Sequence, residues 1–260
     1  MTTTRRPIIA LMTDFGTQDW YVAAMKGVLL TYCPHACLLD ITHDIPAQDV
    51  MTAALTLAWS TPWLPSGTVV TAVVDPGVGT ARRLLAARAD GRYFVGPDNG
   101  LFTLVFRRAR QLSLVHLTRA ERGLPAVSQT FHGRDLIAPI AARLARGERL
   151  ASMGRRTSTY TQLRVPDPVP RRDVWHGSIL TADRFGNLIT NLHGALVRKG
   201  SRIRFQRRWV PVVSSYEEGR NRGVIAIVGS TGHIELAVFG ASVAQRCRAG
   251  RGDAVELRTA

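Results

Sequence analysis

Apolar residues along the first part of the chain alternate between strand-like runs and helical spacing. Pro7 to Met12 is an apolar run that breaks off at Thr13-Asp14-Phe15-Gly16, as a buried strand does on entering a loop. Gln18 to Tyr32 carries Tyr21, Met25, Val28 and Leu29 on one helical face, and Ala36 to Ile41 is strand-like again, ending near Asp40. Asp49 to Trp59 predicts a second helix with Val50, Ala53, Ala54 and Leu57 facing inward. Gly67 to Val74 is a continuous β-forming run, the pattern of a strand covered on both faces. Arg92 to Val95 and Gln111 to Leu117 predict further strands, the first closing on the turn Gly96-Pro97-Asp98-Asn99-Gly100. Arg134 to Arg146 predicts a helix packed through Leu136, Ile137, Ile140 and Leu144. This β-α-β-α order predicts an α/β domain with a mainly parallel sheet flanked by helices.

The pattern changes after Val165-Pro166-Asp167-Pro168-Val169-Pro170-Arg171-Arg172. Three prolines in five positions favour an extended linker over helix or strand. Beyond it come short β-rich runs separated by Gly, Asn and charged turns. They are Ser178–Thr181, Leu188–Leu192, Arg202–Phe205, Trp209–Val213, Val224–Val228, Ile234–Val238 and Ala254–Leu257. That spacing predicts a smaller, mainly antiparallel barrel or sandwich. The expected division is an N-terminal α/β domain over 1–165, a linker over 166–172 and a C-terminal β-barrel-like domain over 173–260.

Composition narrows the function. Hydrophobic residues make up 45% of the 260 positions, enough for a sizeable core. No apolar run approaches the roughly 20 residues of a membrane span, and the segment after Met1-Thr2-Thr3-Thr4-Arg5-Arg6 is too short for a signal peptide. The expectation is a soluble, cytoplasmic protein without a membrane partner. Cys33, Cys37 and Cys247 are too few and scattered for a disulfide framework, and no further ligands follow Cys33 and Cys37 at zinc-like spacing, so free thiols and no metal site are expected. A net charge of +15 raises nucleic acid as a partner. Against it, the basic residues are nearly all Arg, with only Lys26 and Lys199 as lysines, and they are dispersed along the chain without interleaved aromatics.

The candidate chemistry lies at loop positions. In Val73-Val74-Asp75-Pro76-Gly77-Val78-Gly79-Thr80-Ala81-Arg82-Arg83 an apolar run ends on a carboxylate, where open α/β sheets put their ligand crevice. Arg82 follows Asp75 by seven residues and could equally form a structural ion pair with it. No third glycine follows Gly77 and Gly79, so a dinucleotide fingerprint and a P-loop are both absent. His132 opens a helix in Phe131-His132-Gly133-Arg134-Asp135, where a neutral imidazole is favoured and could accept a proton from water; it could also be a satisfied core histidine. Asp14 could bind a ribose diol or order its own turn. Asp183, Phe185 and Asn187 could form a stacking and hydrogen-bonding site or a routine hairpin. Ser230 and the backbone around Gly229 and Gly232 could bind a carboxylate, and Glu235, inside an apolar strand, needs a partner or solvent.

Taken in order, these segments resemble the S-adenosyl-L-methionine (SAM) hydroxide adenosyltransferase family, the adenosine-forming SAM hydrolases related to the bacterial fluorinase and chlorinase. The matching stretches are Thr13-Asp14-Phe15-Gly16 with Asp19, Lys26-Gly27, Asp40-Ile41-Thr42-His43, Val74-Asp75-Pro76-Gly77-Val78-Gly79-Thr80 with Arg82-Arg83, Pro97-Asp98-Asn99-Gly100, Phe131-His132-Gly133-Arg134-Asp135, Asp183-Arg184-Phe185-Gly186-Asn187 and Gly229-Ser230-Thr231-Gly232 with Ile234-Glu235. The resemblance implies an N-terminal α/β domain, a C-terminal barrel-like domain and a homotrimer with active sites between subunits. It implies hydrolysis of SAM to adenosine and L-methionine, with SAM as substrate and no cofactor. The family's water-handling triad falls on Asp75, Arg82 and His132, and its ribose-binding aspartate on Asp14. Contacts to the methionine part fall on Asp183 and Ser230, adenine contacts on Phe185 and the turn at Asn187, and Thr231 occupies a loop position that varies among relatives. Gln48 stands where the family usually has an aromatic residue over the substrate. The halogenases replace the Asp75 position with Tyr and the His132-Gly133 pair with Tyr and a small residue, so hydroxide is the nucleophile this sequence implies. A halogenase-like 5′-transferase and a SAM- or adenosine-binding protein without turnover are the alternatives.

Overall fold

The structure, a computed structural model, describes residues 6–118 and 127–259. The opening segment Met1 to Arg5 that bears on a leader peptide lies outside the described residues. By contact, the chain divides into two compact units, Met1–Leu163 and Arg164–Ala260.

The first unit is built on seven strands: β1 (Ile8–Thr13), β2 (Cys37–Thr42), β3 (Val69–Val73), β4 (Leu84–Ala89), β5 (Arg92–Pro97), β6 (Leu112–His116) and β7 (Arg155–Thr157). Their order across the sheet is β2-β1-β3-β5-β4-β6-β7. The pairs β2–β1, β1–β3 and β3–β5 are parallel, and β4, β6 and β7 extend the sheet antiparallel beyond β5. The helices are α1 (Tyr21–Tyr32), α2 (Val50–Ser60), α3 (Thr103–Arg108) and α4 (Ala138–Ala145). Asp49 caps α2 by accepting a hydrogen bond from the Thr52 amide through its side chain.

The continuous apolar runs follow from the two covered faces. Ile9, Leu11, Val69 and Val73 enter the core layer formed with α1 and α4, while Ala10, Met12, Val70, Ala72 and Val74 enter the layer containing α2 and α3. A strand buried on both faces has no polar alternation to show. The strand β4 was not among the predicted elements, because Leu84-Leu85-Ala86-Ala87-Arg88-Ala89 is alanine-rich and has weak β propensity. The predicted helix over Arg134 to Arg146 has two parts: Gly133–Ile137 forms a π-helical turn, and α4 continues from Ala138 with Pro139 in its first turn.

The second unit contains β8 (Val169–Arg171), β9 (Val174–Ala182), β10 (Leu188–His193), β11 (Arg202–Phe205), β12 (Arg208–Val213), β13 (Val224–Val228), β14 (His233–Val238) and β15 (Ala254–Arg258), with the short helix α5 (Val243–Cys247). The order β10-β14-β13-β12-β11-β15-β9 closes on itself through a β10–β9 pairing, which makes a seven-stranded barrel. Ile179, Leu188, Ile203, Phe205, Leu236 and Leu257 are among the residues that fill its core. Part of the proline-rich stretch is not a free linker: β8 pairs antiparallel with β9, with Pro170 opposite Trp175. Proline is tolerated there because β8 is an edge strand and needs to donate to no further neighbour.

Phe94 on β5 is 1% exposed and meets both Phe102 and Phe106 edge-to-face, at 5.9 Å between ring centroids in each case. Phe94→Ala is expected to destabilise the first unit by about 3–5 kcal/mol. Denaturant unfolding followed by circular dichroism checks this, and a loss below about 1 kcal/mol would contradict it.

Candidate active site

Three loops leave the carboxyl ends of adjacent parallel strands. Thr13 pairs with Val73, and Met12 with Thr42, so Asp14, His43 and Asp75 all follow strand ends on one edge of the sheet. This edge is where open α/β sheets place their ligands. The Asn99 side-chain amide donates to the Val74 carbonyl at 2.8 Å and so braces the end of β3 immediately before Asp75.

The loop after β3 doubles back and lays Arg82 on Asp75. Arg82 Nε lies 2.7 Å from both Asp75 oxygens, and Arg82 Nη2 donates to Asp75 Oδ2 as well. The same Nη2 lies 2.8 Å from His132 Nδ1. Guanidinium nitrogens only donate, so His132 Nδ1 is the acceptor and carries no proton in this arrangement. The side chains of Arg82 and Asp75 are 11% and 5% exposed, and His132 is 9% exposed. In such a partly dry site charge–dipole interactions are stronger than in bulk water. The two N–H groups on Arg82 Nη1 hydrogen-bond to no protein atom among the described residues.

Two packing features hold these loops together. Gly79 has φ +78°, and a Cβ there would run into the Gln129 carbonyl, so the Asp75 loop passes directly against the segment that leads into His132. Phe131 meets Phe15, Trp20 and Tyr21 edge-to-face, which links the neighbours of His132 and Asp14. Asp14 itself accepts the Gln48 amide at 2.8 Å through Oδ2, and Gln48 has φ +65°.

In the second unit, Asp183 and Asn187 close a hairpin. Asp183 Oδ1 accepts the Asn187 amide at 2.8 Å, and Oδ2 accepts the Asn187 side-chain amide at 2.9 Å. Phe185, at the tip, is 79% exposed. These residues line a cavity of about 810 Å³ with Tyr216, Ser230 and Glu235. Thr231, expected beside Ser230, does not line it. Glu235 is 6% exposed, and its carboxylate Oε2 is 3.5 Å from the Tyr216 hydroxyl. Burial first, and repulsion from Asp183 second, hold the Glu235 carboxyl above the usual carboxylate range, with the Tyr216 hydroxyl pulling the other way.

Among the described residues no three His, Cys, Asp or Glu side chains gather to hold a metal ion, and no helix is long and apolar enough to cross a membrane. The three cysteines are free.

Residues 9–154 match the SAM hydroxide adenosyltransferase N-terminal domain, and residues 177–256 match the C-terminal domain of that family. The chain belongs to the SAM hydroxide adenosyltransferase family. It is 43% identical over 242 residues to an (R)-S-adenosyl-L-methionine hydrolase of Thermus thermophilus, covering 90% of this chain and 92% of the relative. A fluorinase of Nocardia brasiliensis is more distant, at 29% identity with 99% of each chain covered. The crystal structure of an uncharacterized conserved protein from Thermotoga maritima superposes with a TM-score of 0.89 at 30% identity, covering 96% of this chain and 99% of that one.

Within the SAM hydroxide adenosyltransferase fold of this chain, Asp75, Arg82 and His132 meet in one hydrogen-bonded group, and Asp14 lies on the same sheet edge. Asp183, Phe185, Asn187 and Ser230 share the second unit's cavity. The bracing role of Asn99 was not legible from spacing, since a Pro-Asp-Asn-Gly turn reads as a turn whatever its amide touches. Tyr216 was missed because it lies on the short loop after β12, away from every motif.

Gly79→Ala is expected to cost about 1–3 kcal/mol through the collision with the Gln129 carbonyl, read as a lowered thermal midpoint. Wild-type stability would contradict the close approach of the two loops. For Glu235, the folded carboxyl ionises at a higher pH than the unfolded one, whose ordinary value is about 4.3, so the folded state loses stability as pH rises through the folded carboxyl's range. Glu235→Gln removes that loss. Its midpoint should rise relative to wild type between about pH 5 and pH 8, and the gain should shrink below about pH 4. A gain that is independent of pH would contradict the raised carboxyl.

Proposed function

We propose that the protein hydrolyses SAM to adenosine and L-methionine by attack of water or hydroxide at C5′, with Asp75, Arg82 and His132 handling the water. The observation that carries this is the single Arg82 guanidinium joined to Asp75 on one side and to His132 Nδ1 on the other. The carbon under attack bears a sulfonium, so the C–S bond breaks to release methionine as a neutral thioether and needs no acid. What the protein must supply is an oxygen nucleophile, in line and relieved of a proton.

In this reading the Nη1 donors of Arg82 hold the attacking oxygen, and Asp75 fixes the plane of the guanidinium. His132 takes the proton at Nδ1, which becomes available when Arg82 turns its Nη2 donor from the ring to the oxygen. Asp14 holds the ribose diol. Phe185 and Asn187 contact adenine, Asp183 and Ser230 contact the methionine part, and Thr231 shapes the adjoining loop. The working form is a cytoplasmic homotrimer with active sites between subunits, built from domains over 1–165 and 173–260, and SAM is substrate with no cofactor assigned. The support is the family membership and the arrangement of acceptors and donors around Arg82.

Incubating the purified protein with SAM, with and without chloride, and resolving the products by chromatography tests this. Adenosine and methionine are expected in both conditions, without 5′-chloroadenosine. Asp75→Ala and His132→Ala are each expected to slow adenosine formation by about 10²–10⁴-fold. Unchanged rates in both variants would remove the triad, and SAM bound without turnover would leave a binding protein.

A further inference from the structure

A polar chain beside Asp14, running from buried Thr13 and His43 out to the more exposed Asp40 and Lys26, is unused by the proposed chemistry. Thr13 Oγ1 lies 2.8 Å from His43 Nδ1, and His43 Nε2 lies 3.0 Å from Asp40 Oδ1. Lys26 Nζ lies 2.6 Å from Asp40 Oδ2. Thr13 is 0% and His43 4% exposed. Burial pushes the Asp40 carboxyl up, but the hydrogen bonds from Lys26 and His43 outweigh it and hold the group below its ordinary range. An ionised Asp40 only accepts, so His43 Nε2 carries a proton. In the neutral ring Nδ1 then accepts from the Thr13 hydroxyl.

A hydroxyl, an imidazole and a carboxylate in series have the order of a nucleophile triad. Thr13 cannot serve as one, because no solvent or substrate reaches it and its oxygen also accepts the Phe15 amide at 3.3 Å. The chain points elsewhere. The Phe15 amide follows Asp14 directly, the Gly16 amide donates to the His43 carbonyl at 2.8 Å, and the Gln48 amide donates to Asp14 Oδ2 at 2.8 Å. Thus Thr13, His43 and the strand-end loop after β2 hold the backbone on both sides of Asp14, and the loop also touches its carboxylate.

We propose that His43 is a positioning residue that acts through Thr13 and the paired 13–16 and 43–48 loops to set the Asp14 carboxylate for a ribose diol. The inference rests on Asp14 as the ribose-binding group. Removing the imidazole leaves the Thr13 hydroxyl and Asp40 Oδ1 without their shared partner and loosens the Thr13 end of the Asp14 loop, while the backbone bonds to the His43 carbonyl and from the Gln48 amide remain. The catalytic group at Arg82 is touched by none of these bonds. The loss therefore falls on binding of the sugar rather than on the bond-breaking step.

The test is calorimetric binding of adenosine and 2′-deoxyadenosine to the full chain as wild type, His43→Ala, Thr13→Val, Asp14→Ala and the His43→Ala/Asp14→Ala double variant, with SAM kinetics alongside. Wild type should prefer adenosine over 2′-deoxyadenosine. His43→Ala should weaken adenosine by about tenfold or more and 2′-deoxyadenosine much less, raising KM while kcat changes less than about threefold. Thr13→Val, which keeps the shape of the side chain, should move the same preference in the same direction and carries the test if His43→Ala does not fold. Adding His43→Ala to Asp14→Ala should cost no further adenosine affinity. A preference that survives in both His43→Ala and Thr13→Val while Asp14→Ala abolishes it would overturn the positioning role alone. A preference untouched by Asp14→Ala would overturn the ribose assignment, and the inference with it.

Discussion

One guanidinium ties the proposed chemistry to the fold. Arg82 has donors and no acceptor, so every group it touches is fixed as an acceptor: both oxygens of Asp75 and Nδ1 of His132. Removing Asp75 would leave a largely buried cation short of its counter-charge, and removing Arg82 would leave a buried carboxylate unpaired, each a costly state. The arrangement is therefore self-consistent only when all three residues are present. In the proposed chemistry it also sets an order of events, because the imidazole cannot accept a proton at Nδ1 until the arginine gives up that nitrogen.

The sheet makes this contact possible. Parallel strands β1, β2 and β3 end in register, so their carboxyl-end loops start side by side, and two apolar layers fix the strands from both faces. The loop after β3 is then drawn over the segment leading to His132, close enough that only a glycine fits at position 79. The aromatic contacts of Phe131 with Phe15, Trp20 and Tyr21 add a second tie between the His132 and Asp14 segments. Positions far apart in the chain thus become neighbours through hydrogen bonds and aromatic packing.

Much of this was legible in the chain. Gly67 to Val74 reads as a doubly buried strand because no polar residue larger than threonine interrupts it, and Asp75 stands out as the first charge after it. The barrel strands were legible from alternating β-rich runs between turn residues, with Arg202–Phe205 and Val224–Val228 matching their predicted bounds. Strand β4 was not legible, since Leu84 to Ala89 becomes a strand through its pairing with β5 and β6 rather than through its own residues. Nor could the stretch at 165–172 show β8, because proline content hides an edge strand that donates on one side only. His43 stands in the family-matching stretch Asp40-Ile41-Thr42-His43, but no spacing showed what it touches. Its role depends on a hydroxyl thirty residues earlier and on the parallel register of β1 and β2.

The second unit contains a cavity whose lining differs from the chain's net charge of +15: Asp183 lines it beside the Glu235 carboxyl, and among the described residues no lysine or arginine does. A cationic ligand group suits that lining, and SAM carries both a sulfonium and an ammonium. Transfer of oxygen from water to C5′ is the central claim, and it is tested most directly by single turnover of SAM in water enriched in heavy oxygen, with the products weighed by mass spectrometry. One heavy oxygen in adenosine, at the 5′ position, and none in methionine is the predicted result. Unlabelled adenosine, or no adenosine at all, would contradict it.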